Sequence, residues 1–259
     1  MIRNSENRVV VVNLSAKNMH WLFLLIVPAM LLSVSGAAVA REVLFEADQV
    51  MDISLEGPLG SVLGDIERRD YRTFSLTTGG VTVPLKVRVR GHSRVRVCDF
   101  PPLKLNFPQG ENAGTAFDGQ DKLKLVTHCR NYDRGEQDLL EEYVAYRIFN
   151  LLTDYSYRVQ LVRIEYVDTD GEIPDEASPR YGFIIESLES LARRLNARPA
   201  ELQGLPVSGY DRHQAALVFL FQYLIANTDF QLLRADREEY CCHNVDLLEK
   251  GPEIIMVPY

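Results

Sequence analysis

Cysteine and histidine side chains stand close together at two places in this chain, where they could form disulfides or bind a metal. Cys98 and Cys129 each follow a strand-like basic and apolar segment, so they are the first candidates for a disulfide. His128-Cys129 and Cys241-Cys242-His243 would together supply four zinc ligands, but their spacing matches no standard zinc motif. Adjacent cysteines rarely bridge each other, so one of Cys241 and Cys242 is expected to pair elsewhere. Disulfides or free thiols are therefore favoured over zinc.

Two polar residues near the end of the sequence are the next candidates for chemistry. Asp229 lies just past a very apolar segment, in the run Asn227-Thr228-Asp229, and Asn244 precedes a second apolar run. A carboxylate at the end of a buried element is placed where proteins commonly display functional groups. Asp and Asn are also favoured as caps and turn residues, so spacing alone leaves a structural role open for both.

The elements that must position these residues are predicted from apolar patterns. Between residues 43 and 125 the pattern has period two, as in "TVPLKVRVRGHSRVRV", "PLKLNF" and "DKLKLV". This alternation predicts a β-rich half of the protein with one buried face. Residues 135–154 are rich in helix formers and predict a long helix buried along one apolar stripe. The stripe consists of Leu140, Val144, Ile148 and Leu151.

The second half of the chain alternates strands and helices. "YRVQLVRIEYVD" and "RYGFIIES" predict a hairpin, and "ESLESLARRLNA" predicts a short helix. "GYDRHQAALVFLFQYLIAN" predicts a longer helix, so apolar that it should be buried on most sides. The last predicted strands, "EYCCHNVDLL" and "EIIMVPY", are separated by the turn-forming "EKGP".

The first forty residues have the pattern of a secretory signal. A weakly basic start leads to the apolar block 21–34 and then to small residues that end in Ala38-Val39-Ala40. The block is shorter than a bilayer core demands, so we expect export to the periplasm or the outside of the cell, with membrane contact only through an uncleaved signal. The net charge of −8 argues against nucleic acid as a partner.

The order of several short motifs resembles that of the spore-coat CotH-like protein kinases, an atypical branch of the protein-kinase-like fold. "VRVRGHSR", "FPPLKLNF", "LLEEYVAYRIFNLL" and "YGFIIES" are similar to four family segments. Asn227-Thr228-Asp229, Asn244 and Val257-Pro258-Tyr259 follow in the family's order. The resemblance covers residues 84–259, and six motifs in the family's order are fairly specific although each is weak alone.

The resemblance implies an α+β, bilobal protein-kinase-like fold. Residues 41–186 would form a β-rich N-terminal lobe with one main helix, and 187–259 an incomplete helical C-terminal lobe. It also implies phosphoryl transfer from ATP, with Mg²⁺ or Mn²⁺, to a protein substrate in the envelope or outside the cell. Asp229 would be the base, Asn244 a metal ligand, and Lys104 a contact to the phosphates. The other implied nucleotide contacts are Arg90, Gly91, Ser93 and Glu186.

The glutamate that would hold Lys104 in such a site is left open between two neighbours. On a helical projection Glu141 lies beside the apolar stripe and Glu142 nearly opposite, so packing favours Glu141 as the inward residue. Motif alignment slightly favours Glu142. Both are kept as candidates.

The sequence departs from the family pattern after Tyr259, where the family has a metal-binding aspartate. We therefore expect a truncated kinase with impaired catalysis. The alternative is a non-catalytic envelope protein that keeps the scaffold as a binding module. An exported hydrolase has little support, because no G-x-S-x-G or H-E-x-x-H motif is present.

Overall fold

The alternation of apolar and basic residues builds the wall of a β-barrel. The computed structural model describes residues 43–173, 179–232 and 241–259. Seven of the strands close into one barrel in the order β1-β2-β3-β4-β5-β7-β6. They are β1 (Met51–Gly57), β2 (Arg72–Thr78), β3 (Val81–Val89), β4 (Leu103–Asn106), β5 (Lys122–Val126), β6 (Val159–Asp168) and β7 (Arg180–Ile185).

Neighbouring barrel strands are antiparallel except where the ring closes. There β1 runs parallel to β6, with Met51 opposite Val162 and Gly57 opposite Asp168. β7 lies between β5 and β6 and pairs with both. The antiparallel pairing of β6 with β7 confirms the predicted hairpin. Because every edge of this sheet is paired, the seven strands leave no open edge of their own.

The barrel interior is filled by the apolar half of each alternating strand. Leu85, Val87, Leu103, Leu105 and Leu123 are each almost completely buried in one cluster to which all seven strands contribute. The residues between them, which include lysines and arginines, therefore point to the outside of the barrel.

The predicted long helix is confirmed as α3 (Asp133–Leu152), which packs against the outside of the barrel, but it buries a face other than the predicted one. Val144, Ile148 and Leu151 of the predicted stripe are exposed. Tyr143 and Tyr146 face the barrel instead, with ring centroids 5.9 and 5.6 Å from that of Phe183. The predicted stripe was wrong because two aromatic rings at i and i+3 bury more apolar area than the aliphatic residues opposite them.

The remaining elements are short. They are α1 (Leu59–Gly64), α2 (Arg94–Val97), α4 (Leu188–Arg194), α5 (Arg212–Leu224), β8 (Arg198–Pro199), β9 (Val245–Lys250) and β10 (Glu253–Pro258), with 3₁₀ turns at Val43–Phe45 and Val207–Gly209. The order β10-β9-β8 forms a second, three-stranded sheet. β9 and β10 are the predicted final strand pair, and Leu248, Ile255 and Val257 pack onto the barrel's outer face around Phe183.

Helix α5 is less buried than its sequence predicted. Val218 and Phe221 are buried, but Phe219, Leu220, Tyr223 and Leu224 are exposed. Among the described residues, the buried face of this helix contacts partners such as Phe149 of α3, whose ring lies beside that of Phe221. The prediction of burial on most sides was therefore wrong.

The predicted bilobal, kinase-like fold is also wrong. The pairing of β1 with β6 closes the strands into a seven-stranded barrel, whereas the expected lobe would have left an open sheet. The described residues belong to one compact unit, Glu42–Tyr259. The predicted signal segment, residues 1–40, lies outside the described residues. In the described part of the chain, no helix is both long and apolar enough to span a bilayer.

Candidate functional site

Strand register gathers a row of cations on the outside of the barrel. Arg88 of β3 lies opposite Lys104 of β4, which in turn lies opposite Lys124 of β5. Arg90 follows at the end of β3, two residues beyond Arg88 and on the same side of the chain. Lys104 and Arg90, predicted separately to contact phosphates, thus belong to one positively charged surface.

These cations are partly withdrawn from water. Burial, followed by the nearby charge of Arg90, lowers the pKa of Lys104. Burial also lowers the pKa of Lys124 to about 8, against a weaker opposing effect of Asp246, and lowers the pKa of Arg90. Among the residues that the structure describes, none of the three has an acidic partner within 4.0 Å. Arg88 differs because its guanidinium lies 5.1 Å from the ring centroid of Tyr71.

Two tyrosines surround the amine of Lys124. Its Nζ lies 3.9 Å from the ring centroid of Tyr259 and 5.6 Å from that of Tyr157. The buried hydroxyl of Tyr157 donates a hydrogen bond to the carboxylate of Asp246 on β9. Burial and then the charge of Asp246 raise the pKa of Tyr157 well above its usual range, so this hydroxyl keeps its proton.

Asp229 is held at a second polar cluster. Its Oδ1 lies 3.0 Å from His243 Nε2, and Asn244 Nδ2 donates to both its backbone oxygen at 2.6 Å and its Oδ2 at 3.1 Å. Asn227 Oδ1 accepts the Asp229 N–H at 2.9 Å, so the Asn227-Thr228-Asp229 run forms a local turn. The side chain of Asp229 remains 80% exposed.

The β9–β10 hairpin connects the two clusters. The N–H of Tyr259, whose ring covers Lys124, donates to the backbone oxygen of Asn244 at 3.2 Å. Asp246, two residues after Asn244, lies on the neighbouring strand opposite Val257. One end of this hairpin therefore presents Asn244 towards Asp229 and Tyr259 towards the cations.

Neither candidate glutamate pairs with Lys104. Glu142 Oε2 lies 3.2 Å from Arg94 Nη2, while Glu141 is exposed and accepts a hydrogen bond from Gln137 at 3.0 Å. Packing had favoured Glu141 as the inward residue, which the structure contradicts. The reason is the same as for the stripe: α3 turns Tyr143 and Tyr146 inward, and this rotation brings Glu142 towards the barrel.

Glu186 is a structural residue in this fold and not part of the cation surface. Its fully buried carboxylate accepts two hydrogen bonds from Arg194, at 3.0 and 2.8 Å, and one from the Arg158 N–H at 3.0 Å. Arg194 also donates to the backbone oxygens of Asp154 and Ser156. Both carboxylate oxygens of Glu186 therefore accept hydrogen bonds from within the protein.

Gly91 and Ser93 lie in the bend between β3 and α2. Gly91 has a φ of +107°, which favours glycine, and its carbonyl accepts a hydrogen bond from Arg69 Nη1 at 2.9 Å. Ser93 is exposed, and its side chain does not cap the four-residue helix that follows. The bend adjoins Arg90, but neither residue has a described contact to the lysines.

The cysteines form two disulfides. One joins Cys98 and Cys129, and therefore links the end of α2 to the segment before α3. The other joins Cys241 to Cys242, contrary to the expectation that these neighbours would not bridge each other. Since all four sulfurs are bonded, no thiolate is left to bind zinc, and in the described part of the chain no three His, Cys, Asp or Glu side chains converge on a possible metal site.

Oxygen donors for a hard cation are nevertheless available beside the hairpin. Asp229, Asn244 and Asp246 offer carboxylate and amide oxygens, the class of ligand that Mg²⁺ and Mn²⁺ prefer. Two carboxylates and an amide are too few for an all-protein cage. A cation held here would have to take most of its ligands from phosphate and water, which is the usual way that proteins bind Mg²⁺.

Comparison with known proteins finds no matching family model and no matching curated protein. The CotH-like resemblance therefore stays a prediction from short motifs. Sequence reasoning missed Lys124, Tyr157 and Asp246. The signal for Lys124 was present, because "DKLKLV" repeats the pattern of "PLKLNF" and places Lys124 where Lys104 stands in the partner strand.

Proposed function

We propose that this chain binds the phosphate groups of a nucleotide at Arg90 and Lys104 and transfers a phosphoryl group to a hydroxyl of a protein substrate. Asp229 is the proposed base. The observation that carries the proposal is the row of outward, partly buried cations without acidic partners among the described residues. The proposal rests on these side chains and no longer on a kinase-like fold.

A bound phosphate supplies what the cations lack. A partly buried cation without an anion is destabilising, and charge-assisted hydrogen bonds to phosphate oxygens offset that penalty. Arg90 offers a planar fork of N–H donors and Lys104 a point charge, a combination that suits neighbouring phosphate oxygens. Phosphoryl transfer asks the protein mainly for such positioning and charge stabilisation.

Asp229 has the exposure that a base for a protein hydroxyl needs. The N–H groups of Asn244 fix the orientation of its carboxylate, while most of the carboxylate surface stays open to solvent. Asn244 and Asp246 would hold Mg²⁺ or Mn²⁺ together with the phosphates. When bound, that cation supplies neutralisation of the phosphate charge.

Nucleotide binding is tested by calorimetric titration of the full chain with ATP and Mg²⁺. Replacing Arg90 or Lys104 by Gln should weaken binding about tenfold or more, because each removes a charge-assisted contact. The matched control is Lys86→Gln, since Lys86 is exposed on the same face of β3 in the adjacent row of residues. Equal affinity in all three variants would refute the phosphate site.

Phosphoryl transfer is tested separately with Asp229→Asn. This variant should bind ATP like the wild type and lose transfer of labelled phosphate to an acceptor protein. Asp121→Asn, which changes an exposed carboxylate beside Lys122, is the control. Transfer at the wild-type rate by the Asp229 variant would exclude Asp229 as the base.

A second candidate is a binding module that holds a phosphorylated ligand without transferring phosphate. The absence of a converging group of three acidic or metal-ligating side chains in the described residues favours it. ATP binding that depends on Arg90 and Lys104, with no transfer under any divalent cation, would identify this function.

A further inference from the structure

Lys124 differs from the other outward lysines of the barrel in what covers it. Its amine lies beneath the rings of Tyr259 and Tyr157, while part of the residue stays exposed. Lys86 and Lys122, in the adjacent row, are both exposed to solvent. Lys124 is therefore the lysine whose amine is most affected by the fold.

The charges around Lys124 act in both directions: Asp246 has the largest single charge effect and favours the protonated amine, while Arg90 and Lys104 disfavour it. Lys104 is its direct cross-strand neighbour, and Arg90 is a second nearby cation. Asp246 and, more weakly, Glu189 act in the opposite direction. Burial is the largest effect, and together these influences lower the pKa of Lys124 to about 8.

The nearest carboxylate does not neutralise this amine by direct contact. Asp246 accepts a hydrogen bond from the Tyr157 hydroxyl, and no described carboxylate lies within 4.0 Å of Lys124 Nζ. An amine that is desolvated and flanked by cations is the environment in which lysine becomes a nucleophile towards carbonyl groups. With a pKa of about 8, roughly a tenth of Lys124 is neutral at pH 7 and carries the free electron pair that such an attack requires.

We infer that Lys124 is a covalent site for aldehydes that carry a phosphate group, with the phosphate held by Arg90 and Lys104. Only the phosphate anchor rests on the function proposed above. The amine nitrogen attacks the carbonyl carbon, and the carbonyl oxygen takes up a proton. The resulting carbinolamine loses water as the C=N bond forms, and the nitrogen releases its extra protons. The net change is amine plus aldehyde to imine plus water.

The test uses pyridoxal 5′-phosphate with the full chain, followed by borohydride, which adds hydride to the imine and fixes the label. Peptide mass spectrometry then measures labelling at each lysine. At pH 7.5 Lys124 should be labelled at least about tenfold faster than Lys122 or Lys86, because burial lowers the pKa of Lys124 to about 8 while the other two side chains are exposed to solvent. Labelling of Lys122 as fast as Lys124 would overturn the inference.

Variants test the role of the Lys124 amine separately from that of the phosphate anchor formed by Arg90 and Lys104. Lys124→Arg keeps the charge and should remove the fast label. Replacing both Arg90 and Lys104 by Gln should slow labelling by pyridoxal phosphate, but leave labelling by phosphate-free pyridoxal at Lys124 faster than at Lys122. Far-ultraviolet circular dichroism verifies that each variant is folded. Fast labelling that persists in Lys124→Arg would overturn the inference.

Competition by ATP distinguishes failure of this inference from failure of the proposed function. Protection of Lys124 by ATP supports both. Fast labelling of Lys124 without ATP protection supports the reactive amine and removes support from the nucleotide site. ATP binding that depends on Arg90 and Lys104, without fast labelling of Lys124, overturns the reactive amine alone.

Discussion

The buried ion pair between Glu186 and Arg194 predicts the largest effect of a single charge change in this protein. Glu186 is 0% exposed and the side chain of Arg194 is 17% exposed. Replacing Glu186 by Gln keeps the shape but leaves the Arg194 guanidinium buried without an anion. Removing one partner of such a pair destabilises proteins by about 3–5 kcal/mol.

The assay is urea unfolding followed by circular dichroism, because the single Trp of the chain, Trp21, lies outside the described residues. With a slope of about 2 kcal/mol per molar urea, the expected loss lowers the unfolding midpoint by about 1.5–2.5 M. Glu249→Gln is the matched control. It breaks the Arg198–Glu249 pair, whose side chains are 77% and 42% exposed, and should cost no more than about 1 kcal/mol.

A double variant tests the cause. Glu186→Met combined with Arg194→Met removes both charges, so it should recover at least about half of the loss that Glu186→Gln produces. Full recovery is not expected, since Asp154 and Ser156 lose the donors to their backbone oxygens. If Glu186→Gln and Glu249→Gln lose the same free energy of unfolding, the stranded-charge explanation is wrong.

Three further predictions concern stability. Lys124→Met should stabilise the protein by about 1–2 kcal/mol at pH 7. The gain should shrink as pH rises from 8 towards 10.5, because folding is penalised for as long as the amine of the unfolded chain is protonated; urea midpoints at pH 7 and 10 measure this. Replacing Cys98 and Cys129 together by Ser should cost roughly 3–4 kcal/mol for a sequence separation of 31, and the reduced wild type should melt at the same temperature as the reduced variant. Gly135→Ala should cost about 1–3 kcal/mol, since its Cβ would lie 2.6 Å from two backbone oxygens, whereas Gly64→Ala meets no atom within 4 Å and should not lower the melting temperature.

Local patterns in the sequence predicted local structure well. Strands β3, β4 and β5 follow directly from alternation, because the period-two pattern records which residues face the interior. The closure of the barrel could not be predicted in the same way. Closure depends on the pairing of β6 with β1, and the residues of neither strand indicate which distant strand will be the partner.

The face of a helix was harder to predict than its existence. Val144, Ile148 and Leu151 form a stripe as regular as the one that is buried, and hydropathy alone ranks tyrosine below the aliphatic residues. The tyrosine face of the helix is the buried one because Phe183 of the barrel provides an aromatic contact for Tyr143 and Tyr146.

Only part of the candidate site could be predicted, because some of its residues come together only through contacts between distant parts of the chain. Arg90, Lys104, Asp229 and Asn244 were named from the motif resemblance, and their proposed roles stay predictions, while Lys124 was not named at all. Its special position needs the register of β4 with β5 and the cover that Tyr259 provides, and both depend on contacts between distant parts of the chain.

The parallel closure of the barrel has a consequence for the order of events during synthesis. β1 must wait for a partner 111 residues further along the chain, so Asp52 has no Arg163 to pair with until most of the barrel has been made. At ribosomal speeds that interval is roughly 5–20 s. During it the outer edge of β1 lacks its native partner, and the nascent chain must be kept from pairing with other chains until β6 emerges. The ring can close only after β7, which lies between β5 and β6, has been made as well.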